Sequence, residues 1–139
     1  MKFKAVGSSY VLRFDNGEEI VAALISFCSQ QKISAASISA IGAARDVEIA
    51  EFDVKEKKYN VKKLSGNVEI VSLLGFITMA EGKPHAHLHI CVAGPDFKAF
   101  GGHLNKVVAS PTCEMLVQSL PGTINRKKDA DSGLLLMEL

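Results

Sequence analysis

Short β-rich runs separated by turn residues make up most of the chain, and one stretch instead carries its apolar residues at helical steps. Tyr10 to Phe14 is a β-rich run that ends in Asp15-Asn16-Gly17, a sequence that favours a turn and offers side-chain oxygens to cap a following helix. From Glu18 to Gln31 the apolar residues Ile20, Val21, Leu24, Phe27 and Cys28 recur at three- and four-residue steps. Glu18 and Glu19 stand where a helix dipole favours negative charge, so this is the expected principal helix. Strands are then predicted over Ser37 to Ile41, Val47 to Phe52, Tyr59 to Leu64, Val68 to Thr78, His85 to Ala93 and Cys113 to Leu120. Reversals are expected at Gly42, Lys55 to Lys58, Ser65-Gly66, Glu81 to Pro84, Gly94-Pro95, Gly101-Gly102 and Pro121-Gly122. The fold class is therefore α+β, one main helix on a largely antiparallel β-sheet, with room for a second short helix after Gly102. Val68 and Ile70 fall on one strand parity and Leu73 on the other, more apolar surface than one helix covers, which points to burial between subunits.

The composition narrows the class. At 139 residues and 47% hydrophobic content the chain suits a single domain, residues 1–139, with a core that needs no disulfide. Sixteen basic against fifteen acidic residues leave a charge of +1, which excludes the strongly basic footprint of non-specific phosphate binding. Cys28, Cys91 and Cys113 cannot all pair within one chain and lack CxxC spacing, so reduced thiols in a cytoplasmic protein are expected. No secretory leader is visible, and the longest apolar stretch, Ile70 to Ala80, is too short to span a bilayer.

The chemistry concentrates in four histidines. His85, His87 and His89, followed by Cys91, share one face of a strand, with neighbours about 6.6 Å apart at ~3.3 Å per residue. Two imidazoles at that spacing can converge on one ion, whereas His85 and His89, about 13 Å apart, cannot meet at Zn–N distances of ~2.0–2.1 Å. One metal thus takes His87 and one neighbour. His103 follows Gly101-Gly102, where the backbone can turn sharply and bring it over the strand from a loop as the third ligand. Three neutral imidazoles with an open position form a catalytic-type zinc arrangement. A single histidine on a half-exposed strand is ordinarily a surface residue, and Cys91 ordinarily a small buried one; the one-faced row with a fourth histidine behind a double glycine is what sets this chain apart.

The succession Leu64 to Gly75, Gly82-Lys83-Pro84-His85-Ala86-His87-Leu88-His89, Gly101-Gly102-His103-Leu104 and Thr112 to Leu116 resembles the plants and prokaryotes conserved (PPC) domain over nearly the whole chain. The resemblance implies an α+β fold, a homotrimer and a metal, zinc or another divalent ion. It places the HxH pair on His87 and His89 and the GGH histidine on His103, leaving His85 as an extra. It also implies a relation to DNA, since plant members accompany AT hooks and bare prokaryotic domains are often described only as predicted DNA-binding proteins. The fold is similar to that of acetolactate decarboxylase, which holds zinc on an HxH strand and a later histidine.

No Arg-Gly-Arg-Pro core occurs in this chain. Lys55, Lys57, Lys58, Lys62 and Lys63 are diluted by Asp53 and Glu56, and Arg126-Lys127-Lys128 by Asp129 and Asp131, the pattern of a solvated edge rather than a phosphate patch. Two functions fit: a trimeric metal-binding regulatory module, or a zinc-dependent lyase or decarboxylase acting on a small oxo- or hydroxy-acid. The second needs a titratable group at the open position, for which Glu51, Glu69, Glu114 and Arg45 are the candidates.

Overall fold

The computed structural model describes residues 1–139. Strands β1 (Lys2–Val6) and β2 (Ser9–Asp15) form a hairpin, followed by the helix α1 (Ile20–Gln30). Then come β3 (Ala36–Asp53), β4 (Lys58–Leu64), β5 (Val68–Ala80), β6 (Lys83–Ala93) and β7 (Ala99–Ser119), and a C-terminal hairpin of β8 (Arg126–Lys128) and β9 (Leu135–Met137). The large sheet runs β1-β2-β7-β6-β5-β3-β4, antiparallel throughout. Because β7 also pairs with β3, the strands β3, β5, β6 and β7 close into a ring. The core fills that ring: Ile38, Leu73, Ile77, Leu88, Val92, Val107 and Met115 are fully buried, and α1 adds Leu24, Phe27 and Cys28 to the same cluster.

The helix is smaller than its periodicity suggests. It spans 11 residues, about 8% of the chain, so the molecule is mostly antiparallel sheet with a single short helix rather than a sheet built on a main helix. Its N-cap is Glu19, not the Asp15-Asn16-Gly17 turn: the carboxylate accepts from the backbone N–H groups of Val21 (3.1 Å) and Ala22 (2.7 Å). Glu18 lies outside the first turn and takes the amino terminus and the Asp15 N–H instead.

The second helix expected after Gly102 does not form; that segment belongs to the 21-residue β7. Gly101-Gly102 and Gly42 do not reverse the chain either. Added Cβ atoms would lie 2.8 Å from the Ala50 carbonyl oxygen at Gly102 and 2.5 Å from that of Thr112 at Gly42. These glycines mark where backbones approach closely within the sheet, a role that turn propensity does not distinguish from reversal. The two short strands expected around Gly42 are accordingly one bulged strand, β3.

In β5 the register shifts between Ile70 and Ser72, and the bulge returns Leu73 to the same inner face as Ile70. The opposite-parity reading of this strand is thus corrected: Ile70, Leu73 and Ile77 line the core, while Leu74 and Phe76 face outward. The outer apolar surface is nevertheless real. Val11, Leu116, Ser39 and Leu74 lie side by side across β2, β7, β3 and β5, with Ile41 in the next row, and all four hydrophobic members are exposed. No helix is long and apolar enough to cross a membrane. All three cysteines are free, and burial raises the Cys28 and Cys113 thiols to about 12, leaving them protonated and unsuited to metal.

Candidate metal centre

The same cross-strand row that carries Leu74 continues into the histidines. Leu74 opposes His89 on β6, and His89 directly opposes His103 on β7, while His87 lies two residues away opposite Phe76. Directly opposed residues of an antiparallel pair project to one face with Cβ atoms about 4.5–5.5 Å apart, so the ladder brings the three rings together. Their centroids are 5.3 Å (His87–His89), 5.3 Å (His87–His103) and 5.6 Å (His89–His103) apart. One nitrogen from each lies within 4.8 Å of those of the others. His103 therefore reaches the group from a neighbouring strand, not from a loop. His85, opposite Thr78, and Cys91, opposite Gly101, share the face of β6 but lie outside the group.

Several features fit these rings to a divalent ion. The Nδ1 of His103 is buried and has no hydrogen-bond partner, a state that buried polar atoms rarely keep unless something else meets them. Tyr59 packs on the His103 ring at 5.3 Å between centroids and helps fix its orientation. Burial, reinforced by the Arg126 charge, lowers the His87 pKa to about 4, and burial lowers that of His103 as well. Both rings are thus neutral at physiological pH, the form that ligates a metal. The donor set is three imidazoles without thiolate or carboxylate, which suits zinc and leaves coordination positions open to another ligand.

Arg126 is the neighbour of the histidines that sequence reading missed, having counted it among the basic residues of a solvated run. The C-terminal hairpin lays it against β5 and β6. Its Nε donates to Thr78 Oγ1 (2.7 Å), its Nη1 to the Leu135 carbonyl (2.6 Å), and its Nη2 lies 3.3 Å from His87 Nδ1. A parallel bridge between Met79 and Asn125 anchors the segment. Nothing in the spacing of Arg126-Lys127-Lys128 announces this contact, which depends on where the tail folds.

The four residues considered as acid, base or anion partners lie elsewhere. Glu51 is exposed on β3 and accepts from Asn60, Glu69 opposes Ala93, Glu114 opposes Arg13 and Ile41, and Arg45 pairs with Asp46. The lysines Lys58, Lys62 and Lys63 occupy β4, the exposed edge strand, with Lys55 and Lys57 in the turn before it; Lys63 meets Glu48 and Lys62 covers the Phe100 ring.

Comparison with known proteins agrees with this architecture. A plant- and prokaryote-conserved protein from Pyrococcus horikoshii is 31% identical, with a TM-score of 0.88 over 99% of this chain and 95% of that one. A metal-containing protein from Archaeoglobus fulgidus is 37% identical, with a TM-score of 0.89 over 100% of both chains. A candidate DNA-binding protein from Bacteroides thetaiotaomicron is 32% identical, with a TM-score of 0.96 over 99% of this chain and 96% of that one. Acetolactate decarboxylase from Bacillus subtilis shares the fold alone, at 16% identity and a TM-score of 0.59 over 87% of this chain and 57% of that one. No curated protein matches the chain in sequence. The model of the Plants and Prokaryotes Conserved (PCC) domain matches residues 1–121, and the chain belongs to that family.

Proposed function

We propose that this protein is a metal-binding regulatory module of the PPC type, a single domain over residues 1–139 that works as a cytoplasmic homotrimer. One divalent ion, zinc by donor chemistry, is held per chain by His87, His89 and His103. The observation that carries this reading is the convergence of three imidazole nitrogens within 4.8 Å on adjacent strands, one ring with a buried unpartnered nitrogen. The metal-containing relative from Archaeoglobus fulgidus supports it. The outward row of Val11, Ile41, Leu74 and Leu116 supplies an apolar surface for self-association. A role connected with DNA draws support from the relative from Bacteroides thetaiotaomicron, while the charge of +1 favours partner-assisted over autonomous binding.

A second reading, a zinc-dependent lyase or decarboxylase of small oxo- or hydroxy-acids, is favoured by Arg126 beside the histidines. It ranks lower because no carboxylate stands at the cluster to move a proton. The test is elemental analysis of untagged protein. One zinc per chain is expected, lost in His87→Ala, His89→Ala or His103→Ala and retained in His85→Ala. Protein that takes up no metal after incubation with zinc refutes the proposal.

A further inference from the structure

Beside His87 and His89 lies an open cavity of about 490 Å³, lined also by Leu74 and Phe76 of β5 and by Arg126, Leu136 and Met137 of the C-terminal hairpin. Its lining includes no Asp or Glu. A divalent ion on three neutral imidazoles adds two positive charges, and the Arg126 guanidinium a third, all uncompensated by the chain. A half-buried site with that imbalance selects an anion.

The hydrogen bonding points the same way. A neutral imidazole has one in-plane lone pair. If Arg126 Nη2 donates to His87 Nδ1, that lone pair is used and Nε2 carries the proton. A metal on Nδ1 displaces the guanidinium directly; a metal on Nε2 moves the proton to Nδ1 and ends its capacity to accept. Either way, ligation leaves an Arg126 N–H without its acceptor, while Thr78 and Leu135 still hold the guanidinium in place. A carboxylate satisfies both demands, since one oxygen binds the ion and the other accepts from Arg126.

We propose that this cavity binds a small monocarboxylate with an apolar chain, its carboxylate meeting Arg126 and a metal held by the histidines and its chain lying against Phe76, Leu136 and Met137. This inference rests on the reading of His87, His89 and His103 as a metal site.

Isothermal titration of the zinc-loaded full chain with isovalerate tests it, with isoamyl alcohol as the uncharged counterpart and acetate as the truncated one. Isovalerate should bind and isoamyl alcohol should not. Acetate should be weaker by about fourfold for each methylene it lacks. Arg126→Gln should weaken isovalerate by about tenfold or more, the loss expected for a charge-assisted hydrogen bond, while still holding one zinc per chain. Because that change also loosens the hairpin, Met137→Ala provides a second handle, weakening isovalerate more than acetate with Arg126 intact. Zinc-loaded protein that binds alcohol and acid alike, or whose isovalerate affinity ignores Arg126→Gln, overturns the inference and leaves the metal reading standing. Protein that takes up no zinc overturns both.

Discussion

Replacement of Gly75 by alanine separates the backbone support of the candidate metal centre from the histidines proposed as its ligands. Gly75 lies in the middle of β5, paired with Ile38 on β3 and with Leu88 on β6. A Cβ there would stand 2.1 Å from the His87 carbonyl oxygen and 2.9 Å from Leu88 Cα, both backbone atoms of a strand hydrogen-bonded to β5. Real Cβ contacts respect 3.0 Å, so β6 must retreat by about 0.9 Å at His87 itself. Metal–ligand distances tolerate only about 0.2 Å, so a shift of that size removes His87 from a shared ion unless its side chain compensates. The expected result is a zinc affinity lower by about 10–100-fold, the range for lost support of a ligating histidine, with a stability loss of about 1–3 kcal/mol from overpacking. Competition with a chromophoric chelator measures the first, and urea unfolding in excess chelator the second. Gly94→Ala is the control, since its Cβ meets nothing closer than Asp96 Oδ1 at 3.5 Å. Wild-type zinc affinity in Gly75→Ala would refute the claim that the β5–β6 backbone sets the position of His87.

Light scattering of the wild type should report about three times 14.9 kDa, and Leu116→Asp should dissociate the assembly; a wild-type monomer at micromolar concentration contradicts the proposed trimer. Duplex DNA of random sequence should bind weakly, with a shallow salt slope, since each phosphate contact contributes about −0.9. Tight, salt-sensitive binding in fluorescence anisotropy that is lost when Lys57, Lys58, Lys62 and Lys63 become Glu would instead make the β4 edge a DNA-binding surface. In excess chelator, the contribution of His87 to thermal stability should be constant above pH 6.5 and fall between pH 6.5 and about 4, because unfolded His87 gains a proton near 6.5 whereas the folded ring, buried and beside Arg126, resists until about 4. His87→Gln should flatten part of that fall, and an unchanged profile would show that His87 is not held neutral.

Strands β2, β4, β5 and β6, the one helix and the histidine face were legible because each rests on a local period, whereas β8, β9 and the first half of β7 were not read as strands. Alternation over His85 to Cys91 survives intact since β6 carries no bulge, and so the shared face of its histidines could be read directly. The long strands were harder. Bulges at Gly42 and between Ile70 and Ser72 reset the parity that a period-two reading assumes, and β7 hides Gly101-Gly102 within a continuous ladder. Strand β1 was missed because all five of its residues are exposed and it pairs only at the sheet's edge. Arg126 was out of reach for a different reason: its partners Thr78 and His87 lie 48 and 39 positions away, and no local pattern encodes a tail folding back.

All three imidazoles lie between positions 87 and 103, on β6 and the start of β7, which are joined by the short segment 94–98. A single hairpin therefore carries all three histidines, whereas the ring of strands closes only when β3 meets β7 from far away in the chain. Local closure is entropically cheap and fast, and distant closure is slow. The three histidines thus need only the local β6–β7 pairing to come together, whereas closing the ring needs the distant β3–β7 pairing as well.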